Sequence, residues 1–172
     1  EIKEVLSISD QVIFNSEMQY NDFLNLTRSF KKEIGIRINP IYSEIKTKKY
    51  NPAGYQSRLG LHIKNLKNID FKNVDGLHFH SLCEQNFSSL KNTWDKILPH
   101  INKYLNNIKW INMGGGHHLT RDDYDLKELI RFLNSLKNKF NFQIYLEPGE
   151  AIVFQSGILI GQILDVIKSH DK

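Results

Sequence analysis

Short apolar runs alternate with long stretches of helical periodicity along this chain, and this alternation limits the folds that it can adopt. Five apolar runs, each ending in a polar turn, predict strands at residues 11–14, 34–38, 76–82, 109–112 and 142–146. Apolar side chains at helical spacing predict helices in residues 17–32, 86–107 and 122–140. Strands that alternate with helices pair in parallel through right-handed crossovers. The sequence therefore predicts an α/β fold, either a doubly wound sheet or part of a (β/α)8 barrel.

Local signals refine the helices and loops. Ser16, followed three residues later by Gln19, predicts a helix N-cap. Pro99 is expected to split its helical stretch or to start a second helix. Residues 41–59 predict a long loop, and ordered loops of such length are commonly functional.

Every unusual motif follows a predicted strand. The motifs are RINP at 37–40, HFHSLCEQ at 78–85, GGGHH at 114–118 and EPGE at 147–150. Because parallel strands gather their carboxyl ends at one edge of the sheet, these motifs are expected to converge. This coincidence favours an enzyme.

Two of these motifs suggest a bound anion and a charged partner. Gly114, Gly115 and Gly116 could bring backbone N–H groups close to a phosphate, or could form a flexible turn. Glu147 could be a general base, a metal ligand, the partner of a protonated ring nitrogen, or a helix cap.

Histidines add a second possibility. His78 and His80 are two apart on a strand and therefore point to the same side. With His117 and His118 they could bind zinc, whereas a single imidazole could instead stack on a flat cofactor.

Two further residues are ambiguous. Cys83 could be a nucleophile or a buried packing residue. Arg58 could hold a phosphate, a phenolate or a carboxylate, or could form a surface ion pair.

Composition argues against several partners. The net charge is +4, but the basic residues are scattered, so no nucleic-acid partner is expected. Cys83 is the single cysteine, which predicts a reducing, cytoplasmic location. Residues 1–10 lack a signal-peptide pattern, and polar residues interrupt the apolar stretch at 151–167, so no membrane association is expected.

Length predicts an incomplete barrel. A (β/α)8 barrel takes about 250 residues, and five strands in 172 residues would leave it open. We therefore expect flanking sequence to be missing. Residues 1–156 are assigned to the barrel and residues 157–172 to the start of a C-terminal β domain, beginning with an extended strand at 158–167.

The ordered motifs at 37–40, 57–60, 76–85, 112–121 and 146–151 resemble those of carboxynorspermidine/carboxyspermidine decarboxylases. These belong to the alanine-racemase-like (fold-type III) enzymes, which depend on pyridoxal 5'-phosphate (PLP). The resemblance implies a PLP-binding (β/α)8 barrel followed by a β domain, and a homodimer with shared active sites. It implies decarboxylation of carboxynorspermidine or carboxyspermidine to norspermidine or spermidine.

The resemblance also implies residue roles. His80 would stack on the pyridine ring, Glu147 would pair with the ring nitrogen, and the glycines at 114–116 would hold the phosphate. Arg58 would lie near the phenolic oxygen, and Arg37 on the barrel wall. His117 is assigned to substrate binding, and no metal is assigned to the site.

Glu150 distinguishes this branch. Ornithine-type decarboxylases carry a phosphate-binding arginine at this position, whereas a carboxylate suits the cationic amines of a polyamine-like substrate. Glu150 is therefore expected to contact substrate. The Schiff-base lysine is expected on an earlier strand, outside this chain, so this stretch alone would lack it.

Three alternatives remain at this point. One is a metal-dependent barrel hydrolase with His78, His80, His117, His118 and Glu147 as ligands. The second is a non-catalytic PLP-barrel binding protein. The third is another activity of the same class, such as diaminopimelate decarboxylation or racemisation, against which Glu150 and the HFHSLCEQ segment argue.

Overall fold

A computed structural model describes residues 1–168 of the chain. Its α-helices are α1 (Ile2–Ile8), α2 (Glu17–Ser29), α3 (Phe87–Ile101), α4 (Leu126–Lys139) and α5 (Gly149–Val153). Its strands are β1 (Gln11–Phe14), β2 (Glu33–Asn39), β3 (Leu61–His62), β4 (Gly76–His78), β5 (Trp110–Asn112) and β6 (Gln143–Tyr145). Short 3-10 helices occupy Lys48–Tyr50, Ile63–Asn68, Phe71–Asn73 and Asn102–Tyr104.

All the strands pair in parallel, in the order β1-β2-β4-β5-β6, and β3 pairs with the end of β2. The predicted parallel α/β architecture is confirmed. Within residues 1–168 the sheet does not close, because β1 and β6 each pair on one side only. The sheet is nevertheless strongly curved, since Gln11 Nε2 of β1 lies 3.3 Å from the hydroxyl of Tyr145 on β6.

The concave face is shaped by a tryptophan and two glycines. Gly35, Gly76 and Trp110 are neighbours in register on β2, β4 and β5. A Cβ atom at Gly76 would lie 2.1 Å from Cδ2 of Trp110, and one at Gly35 would lie 2.3 Å from its Cη2. The indole therefore occupies the space that side chains on the two neighbouring strands would fill.

The opposite face carries the apolar core. Ile34, Ile36, Leu77 and Ile111 are fully buried there, since successive strand residues point to opposite faces. They belong to one cluster with apolar residues of the covering helices, among them Leu90, Ile97, Leu129 and Leu136.

Asp75 ties together the amino-terminal edge of the sheet. Its carboxylate accepts a hydrogen bond from Ile34 N at 2.9 Å and pairs with Arg28 of α2 at 2.8 Å and Lys109 at 2.9 Å. The Asp75 pKa is lowered because these hydrogen bonds and cations outweigh the burial that would raise it.

Helix α2 begins as predicted. The Ser16 hydroxyl accepts from Gln19 N at 3.2 Å, and the Gln19 side chain accepts from Asn15 N at 2.9 Å. The expectation for Pro99 is wrong, because α3 continues through it to Ile101. Pro99 lies in the last turn on the exposed side, and the carbonyl that it leaves unpaired belongs to Asp95, which is also exposed.

Other boundaries differ. The strand predicted at 76–82 ends at His78, after which the chain turns. Helix α1 and strand β3 were not predicted, and each is short. Residues 157–168 form neither helix nor strand, so the strand predicted at 158–167 is not found; Leu159 and Leu164 are exposed there. Residues 169–172 of the predicted second domain lie outside the described part.

No helix within residues 1–168 combines the length and the apolar character needed to cross a bilayer.

We expect Asp75→Asn to lower the free energy of unfolding by about 2–4 kcal/mol, because it leaves two cations beside a neutral amide. Urea unfolding of the full-length protein measures this loss. The matched control is Asp95→Asn, which breaks the exposed Lys91–Asp95 pair and should cost less than about 1 kcal/mol. Equal losses in the two variants would contradict the role of Asp75.

Gly76→Ala should destabilise the protein by about 1–3 kcal/mol, because the new methyl group overlaps the indole of Trp110. Thermal unfolding checks this. In a Trp110→Leu background, the same substitution should cost distinctly less; an unchanged cost would mean that another contact excludes the methyl group.

Candidate functional site

The floor of the site is one row of side chains across the sheet. Arg37, His78, Asn112 and Tyr145 are adjacent in register on β2, β4, β5 and β6. Each lies two residues after the Gly35, Gly76 and Trp110 row or its continuation, so the two rows share the concave face. The polar row lies nearer the carboxyl ends of the strands.

Asn112 connects two of the motifs. Its side-chain Nδ2 donates to Glu147 Oε1 at 2.8 Å, and its Oδ1 accepts from Gly114 N at 2.9 Å. Sequence reasoning missed Asn112. A polar residue that ends a buried strand directly before three glycines was the available signal.

Glu147 is the central carboxylate. Its Oε2 lies 3.9 Å from His78 Nε2, its backbone N donates to Gly114 O at 2.8 Å, and its side chain is half exposed. His78, His80 and Glu147 each offer an atom within 4.8 Å of the others. The predicted convergence of these three residues is confirmed.

The glycines hold neighbouring loops together. Gly114 (φ 70°) and Gly116 (φ 80°) adopt left-handed backbone conformations that favour glycine. A Cβ atom at Gly114 would lie 2.6 Å from Phe79 O, and one at Gly116 would lie 2.3 Å from Leu82 O. The sequence suggested that these glycines let a ligand approach the backbone closely. At Gly114 and Gly116, the backbone of the turn after β4 makes that close approach instead.

Not all the N–H groups of this segment are engaged. Gly114 N donates to Asn112, and Gly115 N donates to His80 Nδ1 at 3.4 Å, which fixes the orientation of that imidazole. Within residues 1–168, Gly116 N makes no hydrogen bond. That group is available to an anion.

Burial keeps the imidazoles uncharged. It lowers the pKa of His78 to about 4, with Arg37 acting in the same direction and Glu147 against it. Burial also lowers the pKa of His80 and of His117. Burial lowers the pKa of Arg37, and the negative charge of Glu147 acts in the opposite direction. Around neutral pH, the site combines neutral rings with one carboxylate and one guanidinium.

A second group lies beside the first. Glu84, His118 and Glu150 offer atoms within 4.8 Å of one another, and His118 Nε2 is 3.1 Å from Glu150 Oε2. His118 is buried, whereas the two carboxylates are exposed.

The single metal site suggested by the sequence is therefore not formed. His78, His80 and Glu147 make one group, His118 belongs to the other, and His117 belongs to neither among the described residues. His117 and His118 are consecutive on an extended segment that bridges to Gln85, so their side chains point to different sides.

Arg58 and Cys83 are the two residues whose roles the sequence left ambiguous. Arg58 is exposed, and its carbonyl accepts a hydrogen bond from Asn15 Nδ2 at 2.8 Å. The Cys83 thiol has a pKa raised by burial and by the charges of Glu84 and Glu150. A raised pKa disfavours the thiolate that a nucleophile requires.

Comparisons with known proteins agree with this geometry. Carboxynorspermidine/carboxyspermidine decarboxylase of Campylobacter jejuni is 38% identical over 170 residues, covering 99% of this chain and 44% of the relative. The resemblance to carboxynorspermidine/carboxyspermidine decarboxylases is confirmed. Carboxyaminopropylagmatine decarboxylase of Synechocystis is 30% identical over 172 residues, covering 99% and 44%.

A solved structure shows the same fold. Carboxynorspermidine decarboxylase from Campylobacter jejuni, complexed with norspermidine, superposes with a TM-score of 0.83 at 36% identity and covers 99% of this chain and 43% of that one. The chain thus spans less than half the length of the relatives that it matches. No family model matches the chain.

The buried histidines predict a pH-dependent stability. In the folded protein His78 takes up a proton only near pH 4, whereas in the unfolded chain it does so near pH 6.5. The free energy of unfolding should therefore fall as the pH drops from about 6.5 to 4, by up to about 1.4 kcal/mol per pH unit from His78.

Urea unfolding across this pH range measures the slope. His78→Gln should make the dependence shallower, and His100→Gln, at an exposed histidine on α3, is the matched control. Identical slopes in wild type and His78→Gln would show that His78 is not held neutral.

Proposed function

We propose that the full-length protein is a PLP-dependent decarboxylase that converts carboxynorspermidine or carboxyspermidine to norspermidine or spermidine. The observation that carries this proposal is the position of Glu147, which is held by Asn112 beside His80 at the carboxyl edge of the sheet. The similarity to decarboxylases of these substrates over nearly the whole chain supports it.

The residues present fit the cofactor. Glu147 offers a fixed, partly exposed carboxylate for a protonated pyridine nitrogen, and His80 offers a flat ring oriented by Gly115. Gly116 N–H, which has no acceptor within residues 1–168, would bind a phosphate oxygen as part of the glycine segment 114–116 that was assigned to phosphate binding. PLP, when bound, withdraws the electron pair that is left on carbon as carbon dioxide departs.

The protein residues supply orientation and charge. Glu147 would keep a proton on the ring nitrogen, because a carboxylate at hydrogen-bond distance stabilises the cationic form. Asn112 would prevent the Glu147 side chain from rotating away. The uncharged His78 and His80 would add no positive charge to compete with the ring nitrogen for that carboxylate.

Substrate binding is assigned to Glu150, whose exposed carboxylate suits a cationic amine. His117 stays a prediction, since its buried ring makes no side-chain hydrogen bond among residues 1–168. Arg58, whose side chain is exposed, also stays a prediction.

Larger-scale features belong to the same proposal. The curved sheet with contact between Gln11 and Tyr145 suits part of a PLP-binding (β/α)8 barrel. The shared-site homodimer, the Schiff-base lysine on another segment and the second β domain follow from the resemblance. The cytoplasmic location follows from the cysteine content.

The comparisons do not favour the alternatives. Both relatives described above are decarboxylases. A metal-dependent hydrolase with five ligands also lacks its geometry, because His118 lies apart from His78, His80 and Glu147.

We expect Glu147→Gln in the full-length enzyme to lower kcat for carboxynorspermidine by about 100-fold or more, because the ring nitrogen loses its stabilising charge. The amide keeps the volume of the side chain and can still accept from Asn112. Carbon dioxide release measures activity, and the absorbance of the bound cofactor shows whether PLP is retained.

The matched control is Glu128→Gln on α4, which removes an exposed carboxylate paired with Arg131. It should retain wild-type activity. Wild-type turnover by Glu147→Gln would refute its role, and absence of turnover in the PLP-loaded wild type would refute the proposed function.

A further inference from the structure

The turn after β4 is fixed against the segment that follows the glycines. Gln85 N donates to Gly116 O at 3.0 Å, and His118 N donates to Gln85 O at 3.4 Å. Glu84, immediately before Gln85, has a positive φ of 54°. These backbone bonds bring the Glu84 carboxylate to His118, so the pairing is built into the fold.

His118 is the buried member of this group. Its side chain is 5% exposed, its Nε2 lies 3.1 Å from Glu150 Oε2, and the Phe154 ring packs edge-on at 5.5 Å between centroids. Neither ring nitrogen makes a regular hydrogen bond within residues 1–168. A buried imidazole in this position aims a polar atom into the space that the two carboxylates share.

The two carboxylates have no protein cation between them among the described residues. The pKa of Arg121 is raised mainly by its hydrogen bonds to Asp123 and also by the charge of Glu84. Its guanidinium, however, is engaged by Asp123 through two nitrogens. Two carboxylates that approach one another repel unless a cation joins them. The group therefore suits a positively charged ligand.

An adjoining groove indicates the shape of that ligand. A cavity of about 400 Å³ lies between the long loop and the turn after β4, with Glu44, Tyr50, Cys83 and Glu84 among its lining residues. Glu84 belongs to both the groove and the carboxylate group. A metal ion needs no groove, whereas an extended amine needs room for its aliphatic chain.

The long loop has a firm position beside this groove. Glu44 accepts from Ser89 Oγ at 2.6 Å and from Asn92 Nδ2 at 2.8 Å, which ties the loop to α3. The groove is thus a built feature of the fold. Glu84, which lines the groove, also lies within 4.8 Å of Glu150, three residues after Glu147.

We propose that Glu84 and Glu150, positioned by His118, bind one protonated amine nitrogen of the substrate, and that the groove beside Glu84 receives the rest of the aliphatic chain. This inference rests on the proposed function and adds two residues to it. Glu84 is a specificity-determining contact, and His118 is a positioning residue that acts through Glu150.

The test uses the full-length, PLP-loaded protein and norspermidine as a non-reacting probe. Calorimetry should show that Glu84→Gln and Glu150→Gln each weaken norspermidine binding by about tenfold, since each removes one negative charge that attracts the ammonium group. In the double variant, the loss should fall short of the product of the two, because both residues bind the same nitrogen.

Kinetics provides the second readout. Glu84→Gln should raise KM for carboxynorspermidine by about tenfold and leave kcat within about twofold, because the contact is the same in ground and transition states. His118→Asn should also raise KM without lowering kcat. Melting temperature and cofactor absorbance should match the wild type, which separates binding from folding. Glu128→Gln is the charge-matched control.

Each outcome decides the proposal. Wild-type norspermidine affinity in Glu84→Gln overturns it, and so does stoichiometric zinc in the purified wild type that is lost in Glu84→Gln. If the wild type decarboxylates carboxynorspermidine while the variants match it, the amine site fails and the proposed function stands. If the wild type binds norspermidine through Glu84 without turnover, the proposed decarboxylation fails instead.

Discussion

The packing of the Trp110 indole on the concave face of the sheet underlies the geometry of the site. It lies over Gly35 and Gly76, where a methyl group would overlap it. The indole fills the interior just below the next row of side chains on the same face, because strand residues two apart share a face. Arg37, His78 and Asn112 are therefore presented together directly above a filled interior.

The carboxylates at the amino-terminal and carboxyl-terminal ends of the strands differ in their surroundings. At the amino-terminal edge, Asp75 joins β2, α2 and Lys109 through hydrogen bonds and ion pairs that are complete within the protein. At the carboxyl edge, Asn112 donates to one oxygen of Glu147, and the Glu147 side chain is half exposed. A satisfied carboxylate stabilises, whereas a fixed and partly exposed one is available to a ligand.

Much of the fold could be predicted, because periodicity and turn residues are local signals. Strands β1, β2, β5 and β6 and helices α2, α3 and α4 are found close to their predicted positions. The failures are elements with weak local signals: α1 and β3 are short, and the apolar run at 76–82 continues past His78, where β4 ends. Pro99 was misjudged because its effect depends on which side of the helix it faces.

Patterns along the chain predict the parallel α/β class, the gathering of the motifs at one edge and the resemblance to decarboxylases. The grouping of side chains into sites depends instead on the three-dimensional fold. That fold placed His117 and His118 on different sides of an extended segment and brought Glu84 to Glu150 across 66 residues of chain. Such groupings depend on strand register and on turns between distant segments, and no local pattern encodes the distance between two side chains.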